Sequence, residues 1–146
     1  MHGWWAASVR GTVSVAGRST GSLGSMNTIL AVAIIAAGSW ISMPNSMWSP
    51  DPDTMTNIRG SLPSYVAHKA SREKRKLPAW STYTFQYRGE IQGRDRIVYI
   101  NAFCDEAPAD AREQFVRVLD GGTCYFTVKY DAAKRKFFEL AFNFEA

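Results

Sequence analysis

The feature that most constrains the fold is an alternation of apolar and polar residues that begins near Trp80 and recurs toward the end of the chain. Tyr83, Phe85 and Tyr87, for example, alternate with threonine and glutamine. A period of two places successive side chains on opposite faces of a β-strand. The pattern therefore predicts a series of strands, over residues 82–87, 97–104, 115–119, 123–130 and 137–144.

Short polar turns separate these strands. Asp120-Gly121-Gly122 precedes an alternating run, and Asp-Gly in that position is a strong hairpin signal. Consecutive strands joined by short turns form an antiparallel meander. The strand over residues 97–104 carries apolar residues on both sides, which predicts a place in the centre of the sheet.

One helix is predicted before the strands. Ser61 has the chemistry of an N-cap, and Pro63 suits the first helical turn. Pro78 disfavours helical backbone at the residue before it, so the helix is expected to end at about Lys76. Packing one apolar helix face on the sheet gives an α+β fold, in which a single N-terminal helix covers a four- to five-stranded antiparallel meander.

The N-terminal third has a different character, because no charged residue occurs between Arg18 and Asp51. This stretch contains an unbroken apolar run over residues 29–37, followed by Gly38 and Ser39. The run has the length of a signal-peptide core and falls short of the roughly 20 residues of a spanning helix. It predicts a cleaved signal peptide with cleavage near residues 37–39. An uncleaved membrane anchor and a buried core helix are the alternatives.

The chain is accordingly divided into four parts. Residues 1–25 resemble neither a domain nor a normal leader, and we interpret them as a mis-assigned start upstream of an initiator at Met26. Residues 26–42 are the predicted signal peptide or membrane anchor. Residues 43–60, with several prolines, serines and asparagines, have the composition of a linker. Residues 61–146 form the α+β domain.

The two cysteines, Cys104 and Cys124, fall at the end of one predicted strand and the start of another. Outside a reducing cytosol such a pair forms a disulfide, and closing a loop of this size contributes about 3 kcal/mol. The spacing is far from Cys-x-x-Cys and the sequence has no neighbouring histidine, so a structural disulfide is favoured over a redox-active pair. The only histidines are His2 and His68. No metal site and no cofactor are predicted.

Basic residues are concentrated at the end of the predicted helix: Lys69, Arg72, Lys74, Arg75 and Lys76. Two interpretations remain open, a solvated helix end and a contact surface for an anionic lipid or envelope polymer. The net charge of +4 permits the second without requiring it. Nucleic acid is not an expected partner, because no recognition motif is present.

Three segments resemble a family of small uncharacterised bacterial exported proteins: YINAFC at residues 99–104, DGGTCYF at residues 120–126 and VKYD at residues 128–131. The similarity covers about residues 62–146. The chain departs from the family at its end, where Asn143-Phe144-Glu145-Ala146 replaces Asn-Gly-x-Ala. The resemblance implies export and an α+β domain, and it implies no catalytic residue. By analogy alone, a helix wrapped by a curled sheet also looks like the cystatin-like and NTF2-like folds.

These features lead to the hypothesis of a non-enzymatic binding module, periplasmic or secreted, whose partner is an envelope protein or an anionic lipid or polymer. No catalytic residue is assigned. One alternative is an inhibitor of an envelope or host enzyme, with residues 90–95 as its inserting loop. Another is a small hydrolase or isomerase inside a cone-shaped sheet, for which the nearby acid–base groups are Asp105, Glu106, Asp120 and Glu139.

Overall fold

The computed structural model describes residues 38–145. This part of the chain contains one α-helix and five strands: β1 (Trp40–Ser42), α1 (Pro52–Arg72), β2 (Thr84–Gln92), β3 (Asp95–Phe103), β4 (Tyr125–Asp131) and β5 (Lys136–Phe142). Two short 3-10 helices, Trp80–Thr82 and Gly122–Cys124, precede β2 and β4. Within the described residues, no helix is both long and apolar enough to cross a membrane. The proposed leader and the apolar run at residues 29–37 lie outside the described residues.

The five strands form one sheet in the order β1-β2-β3-β4-β5. β2 to β5 are an antiparallel meander, and β1 pairs with β2 in parallel. The predicted α+β fold is confirmed, and β3 is the central strand as its two apolar sides indicated. The β2–β3 hairpin is tighter than predicted, because Gln92 pairs with Asp95 across a two-residue turn.

The core lies between α1 and one face of the sheet. The helix contributes buried residues at the three- and four-residue spacing of one helical face: Met55, Ile58, Leu62, Val66 and Ala70. The sheet meets them with alternate residues of its central strands, among them Phe85, Val98, Ile100, Ala102, Phe126 and Val128. The alternation in the sequence thus correctly identifies the inner face of the sheet.

The helix begins earlier than predicted. Asp51 is the N-cap, since its carboxylate accepts a hydrogen bond from the Thr54 amide at 2.7 Å, and this bond lowers the pKa of the Asp51 carboxyl. Pro52 occupies the first helical position, where its missing N–H costs nothing. The predicted start at Ser61 is therefore wrong, and residues 52–60 are helix rather than linker.

The helix also ends earlier than predicted, at Arg72 rather than Lys76. Lys74 adopts a φ of 55°, in the left-handed region that turns a chain out of a helix. The amide of Arg75 then donates to the Ala70 carbonyl at 2.8 Å. This bond closes the end of the helix before the predicted boundary.

The segment before the helix belongs to the sheet. Trp40 stacks on Phe85 with ring centroids 4.4 Å apart, and Ile41 is buried. Beyond β1 the chain continues along β2, where the amide of Met43 donates to the Tyr87 carbonyl at 2.9 Å. Residues 40–42, included in the predicted signal or anchor, and the following part of the predicted linker are thus part of the folded domain.

The second face of the sheet is partly covered by a loop that we call the strap, residues 105–121. It forms neither helix nor strand, so the predicted strand over residues 115–119 is wrong. The amide of Val116 donates to the Gln86 side-chain oxygen at 2.8 Å and not to a neighbouring strand. Phe115 packs edge-on against Tyr99, with ring centroids 5.2 Å apart.

Candidate functional site

An open groove lies between α1 and the β4–β5 hairpin. Tyr65 on the helix and Phe137 on β5 form its floor, with ring centroids 5.0 Å apart. The cavity above them has a volume of about 540 Å³ and is lined by Ser61, Ser64, Tyr65, His68, Arg135, Lys136 and Phe137. A second depression of about 310 Å³ shares Tyr65 and His68 with it and is lined further by Lys69, Arg72 and Glu73. We call the two together the basic groove.

Both walls of the groove follow from local structure. On the helix, Ser61, Tyr65, His68 and Arg72 recur every three or four residues and therefore share one face. On the hairpin, the Asp131 carboxylate accepts hydrogen bonds from two backbone amides of the turn between β4 and β5. The distances are 3.0 Å to Ala133 and 2.9 Å to Lys134. This turn brings the residues that follow it, Arg135 and Lys136, opposite the helix.

The charge along the groove is mostly positive. Glu73 is its only lining carboxylate, and it pairs with Lys69 at 3.1 Å and with Arg75 at 3.7 Å. Within residues 38–145, no ion pair involves Arg72, Arg135 or Lys136. An aromatic floor flanked by unpaired cations can hold a ligand that combines negative charge with an apolar or ring surface.

The basic cluster predicted from the sequence is split by the structure. Lys69 and Arg72 line the groove, whereas Lys74 and Lys76 are exposed beyond the helix end. Arg75 is held by the fold. Its guanidinium donates to the Asn143 carbonyl at 2.6 Å and lies 5.2 Å above the Phe142 ring.

Arg135 and Lys136 were not predicted as site residues. The available signal was the basic run Lys134-Arg135-Lys136 after a predicted strand. Recognising it as part of a site requires knowing that the hairpin turn faces the helix, and this is a property of the tertiary structure alone.

The cysteines are joined in a disulfide between Cys104 and Cys124. It links the end of β3 to the residue before β4 and so closes the loop that contains the strap. Both sulfurs and a carboxylate oxygen of Asp105 lie within 4.8 Å of one another, but disulfide sulfurs are not thiolates and do not serve as metal ligands. Burial and the hydrogen bond that its hydroxyl donates to Asp105 raise the pKa of Tyr125 to about 12.

The carboxylates considered as acid–base groups do not line the basic groove. The Asp105 carboxylate accepts a hydrogen bond from the Tyr125 hydroxyl. Glu139 lies 2.7 Å from the Lys129 ammonium on the sheet. Glu106 and Asp120 are exposed. Besides burial, Asp105 and Asp120 both contribute to the raised pKa of the Tyr125 hydroxyl, whereas Glu139 is engaged by Lys129.

The proposed inhibitory loop, residues 90–95, is the tip of the β2–β3 hairpin. Glu90 at its base accepts from Arg88 at 2.6 Å, and Gly93 adopts the positive φ that the turn requires. Ile91 is 43% exposed near the tip.

No family model matches the chain, and comparison with curated proteins and with solved structures finds no match.

Proposed function

We propose that the chain is an exported binding module, periplasmic or secreted, whose basic groove binds an anionic polymer of the cell envelope. The observation that carries the proposal is the placement of three unpaired cations, Arg72, Arg135 and Lys136, around the aromatic floor of the groove. The binding is non-covalent and needs no catalytic group.

Export is supported by two independent features. A disulfide between Cys104 and Cys124 fits an oxidising compartment outside the cytosol. The apolar run at residues 29–37 has the length of a signal-peptide core. Cleavage just before Gly38 would leave β1 complete. If the run is retained instead, it anchors the protein in the inner membrane with the domain outside the cytoplasm.

The length of the groove favours a polymer over a single small anion. Residues 61–72 of the helix extend over about 17 Å at the usual rise per residue. Each solvated cation contributes only about 0.2–1 kcal/mol to an ion pair, so a lone phosphate is held weakly. A chain with repeated negative charges engages several cations at once, and its affinity rises accordingly.

The groove is tested by titrating the protein with inorganic polyphosphate as the probe at low ionic strength. The double variant Arg135→Gln/Lys136→Gln should lower the affinity about tenfold, because two of the groove's cations are lost. Lys134→Gln is the matched control: it removes a charge from the same turn at a side chain that is 71% exposed and does not line the groove. Its effect should be below about twofold. Lys134→Gln removes one charge where the double variant removes two, so an effect of net charge alone would lower its affinity about threefold. A loss of that size in this control would contradict a groove.

Export is tested separately in the native host. Fractionation followed by thiol alkylation should recover the protein outside the cytoplasm with both cysteines unreactive. A cytoplasmic protein in which both thiols react would contradict export and leave the groove measurement unaffected.

Inhibition of an envelope or host enzyme is the second candidate function, because Ile91 is an exposed apolar residue near a tight hairpin tip. An inhibitor of this kind inserts the tip into a partner's cleft. Ile91→Ser should then abolish binding to that enzyme while leaving polyphosphate binding unchanged. Unchanged enzyme binding in Ile91→Ser would contradict the inhibitor hypothesis and leave the groove proposal unaffected.

A further inference from the structure

Two large apolar side chains project into solvent at one end of the domain. Leu119 in the strap is 93% exposed, and Phe144 near the C-terminus is 83% exposed. Their backbones are fastened together: the Asn143 side chain donates to the Val118 and Asp120 carbonyls at 2.7 and 2.9 Å, and the Gly122 amide donates to the Phe144 carbonyl at 2.9 Å. We call Leu119 and Phe144 the apolar tip.

The chain enters the domain at the same end. β1 runs parallel to β2, with Trp40 opposite Phe85, and the start of β2 lies beside the end of β3 and the start of β4. Gly38 and the apolar tip therefore lie at the same end of the strands, on opposite sides of the sheet. The width of the five strands sets their separation at about 19 Å. The residues immediately before Gly38 are the apolar run 29–37.

We propose that this end of the domain, where the chain leads back to the apolar run in the sequence, rests on a lipid bilayer, with Leu119 and Phe144 inserted at the interface. The inference rests on the proposed export in the form that retains the apolar run, because a cleaved run would no longer hold the domain at a membrane. Leucine and phenylalanine side chains that are exposed to water bind at the acyl boundary of a bilayer because insertion buries their apolar area.

Charge is a secondary contribution at this end. The exposed residues Lys74 and Lys76 follow the helix there, since the Thr123 hydroxyl donates to the Lys76 carbonyl at 2.6 Å. Asp120 adjoins the tip, whereas Glu145 lies 3.6 Å from Arg75. Cations and carboxylates offset one another, so apolar insertion dominates.

A second copy of the chain is a weaker occupant. Two large side chains offer about 150–250 Å² each even at aromatic size. A stable protein interface buries about 1,200 Å² or more in total. A bilayer needs no complementary partner surface and covers both the tip and the chain entry.

The test uses protein recovered from an exporting bacterial host, in whichever form it leaves the cytoplasm. It is combined at one chain per disc with nanodiscs of phosphatidylethanolamine and phosphatidylglycerol. Hydroxyl-radical oxidation of Leu119 is compared with that of Ile91, an isomeric side chain at the opposite end of the sheet. From their exposed fractions, 93% and 43%, Leu119 should oxidise about twice as fast as Ile91 without a bilayer.

On the discs, Leu119 should oxidise at least about fivefold more slowly than Ile91, because insertion excludes water from it. A ratio that stays near two overturns the proposal, as does protection that appears only in discs carrying two chains. Intact mass in the same sample reports the oxidation state of the cysteines and the first residue. Failure of export is thereby distinguished from failure of docking.

Discussion

At the residue scale, one buried amide connects the strap to the sheet. Gln86 is fully buried in β2. Its nitrogen donates to the Ala111 and Gln114 carbonyls at 2.7 and 2.8 Å, and its oxygen accepts from Asn101 and Val116, both at 2.8 Å. A buried network in which every group is bonded fixes a single arrangement, and losing one member leaves the others unpaired.

Gln86→Leu keeps the size of the side chain and removes all four hydrogen bonds. We expect it to lower the free energy of unfolding by about 2–4 kcal/mol, since buried carbonyl and amide groups of the strap lose their partners. Urea unfolding measures the change. Gln92→Leu, at an exposed position of the same strand, should change stability by less than about 0.5 kcal/mol. Similar losses in the two variants would show that the network adds nothing.

Two glycines make a matched pair with opposite expectations. A Cβ on Gly89 would lie 2.0 Å from the Trp48 carbonyl oxygen, whereas a Cβ on Gly60 in α1 would meet nothing within 4 Å. Gly89→Ala should destabilise the domain by about 1–3 kcal/mol, because the backbone at residue 48 must move. Gly60→Ala should stabilise it by about 0.5–1 kcal/mol through helix propensity. Thermal unfolding of both checks the signs, and a stabilising Gly89→Ala would disprove the close approach.

At the element scale, the disulfide holds a covering loop rather than the sheet itself. The strands on either side are paired along the full length of β4, from Phe103 with Tyr125 to Ile97 with Asp131. The strap between Cys104 and Cys124 has only side-chain and loop hydrogen bonds. Losing the disulfide should therefore affect the strap more than the sheet.

The variant Cys104→Ala/Cys124→Ala tests this division. Its free energy of unfolding should fall by about 3 kcal/mol through the added freedom of the unfolded chain. Amide exchange should accelerate in the strap while β3 and β4 remain the slowest region. The reduced wild-type protein should behave like the variant, and reductant should leave the variant itself unchanged. Uniform loss of protection in strap and sheet would contradict the assignment.

The elements that the sequence predicts well are those with a long, regular period. β3 and β4 alternate over seven or more residues, and their inner faces follow directly. The strap shows where the same rule fails. Val116 and Val118 alternate as in a strand, but the Val116 amide bonds to Gln86 and the Val118 carbonyl to Asn143, which sequence spacing does not reveal.

The start of α1 is predicted wrongly for a related reason, because two helix-start signals of the same kind occur in the sequence. Ser61 with Pro63 and Asp51 with Pro52 both have the chemistry of a helix start, and only the hydrogen bond to Thr54 decides between them. β1 is too short for a period to be seen, and its parallel partner is far along the chain. Only one wall of the basic groove can be predicted from the sequence. The helix wall carries a basic cluster that the sequence shows, whereas the position of the hairpin wall depends on tertiary packing.

At the scale of the whole molecule, the predicted targeting segment and the folded domain meet near residue 38. Before that point the sequence has the character of a targeting segment. After it, Trp40, Ile41 and Met43 pack on the sheet. Cleavage of a signal peptide is compatible with this fold only if it leaves Trp40, Ile41 and Met43 on the domain.

Two truncations locate this junction. A chain beginning at Gly38 should fold with its full stability, since β1 and its bonds to β2 are kept. A chain beginning at Asn45 lacks β1 and the buried side chains of Ile41 and Met43, and it should lose about 3–6 kcal/mol of unfolding free energy from the apolar area exposed. A third protein, shortened by residues 145–146 alone, controls for truncation itself and should lose less than about 1 kcal/mol. Because Trp40 stacks on Phe85 in the native fold, tryptophan fluorescence and urea unfolding report the loss together. If the chain beginning at Asn45 were as stable as the one beginning at Gly38, β1 would be dispensable, and processing anywhere up to residue 44 would be compatible with the fold.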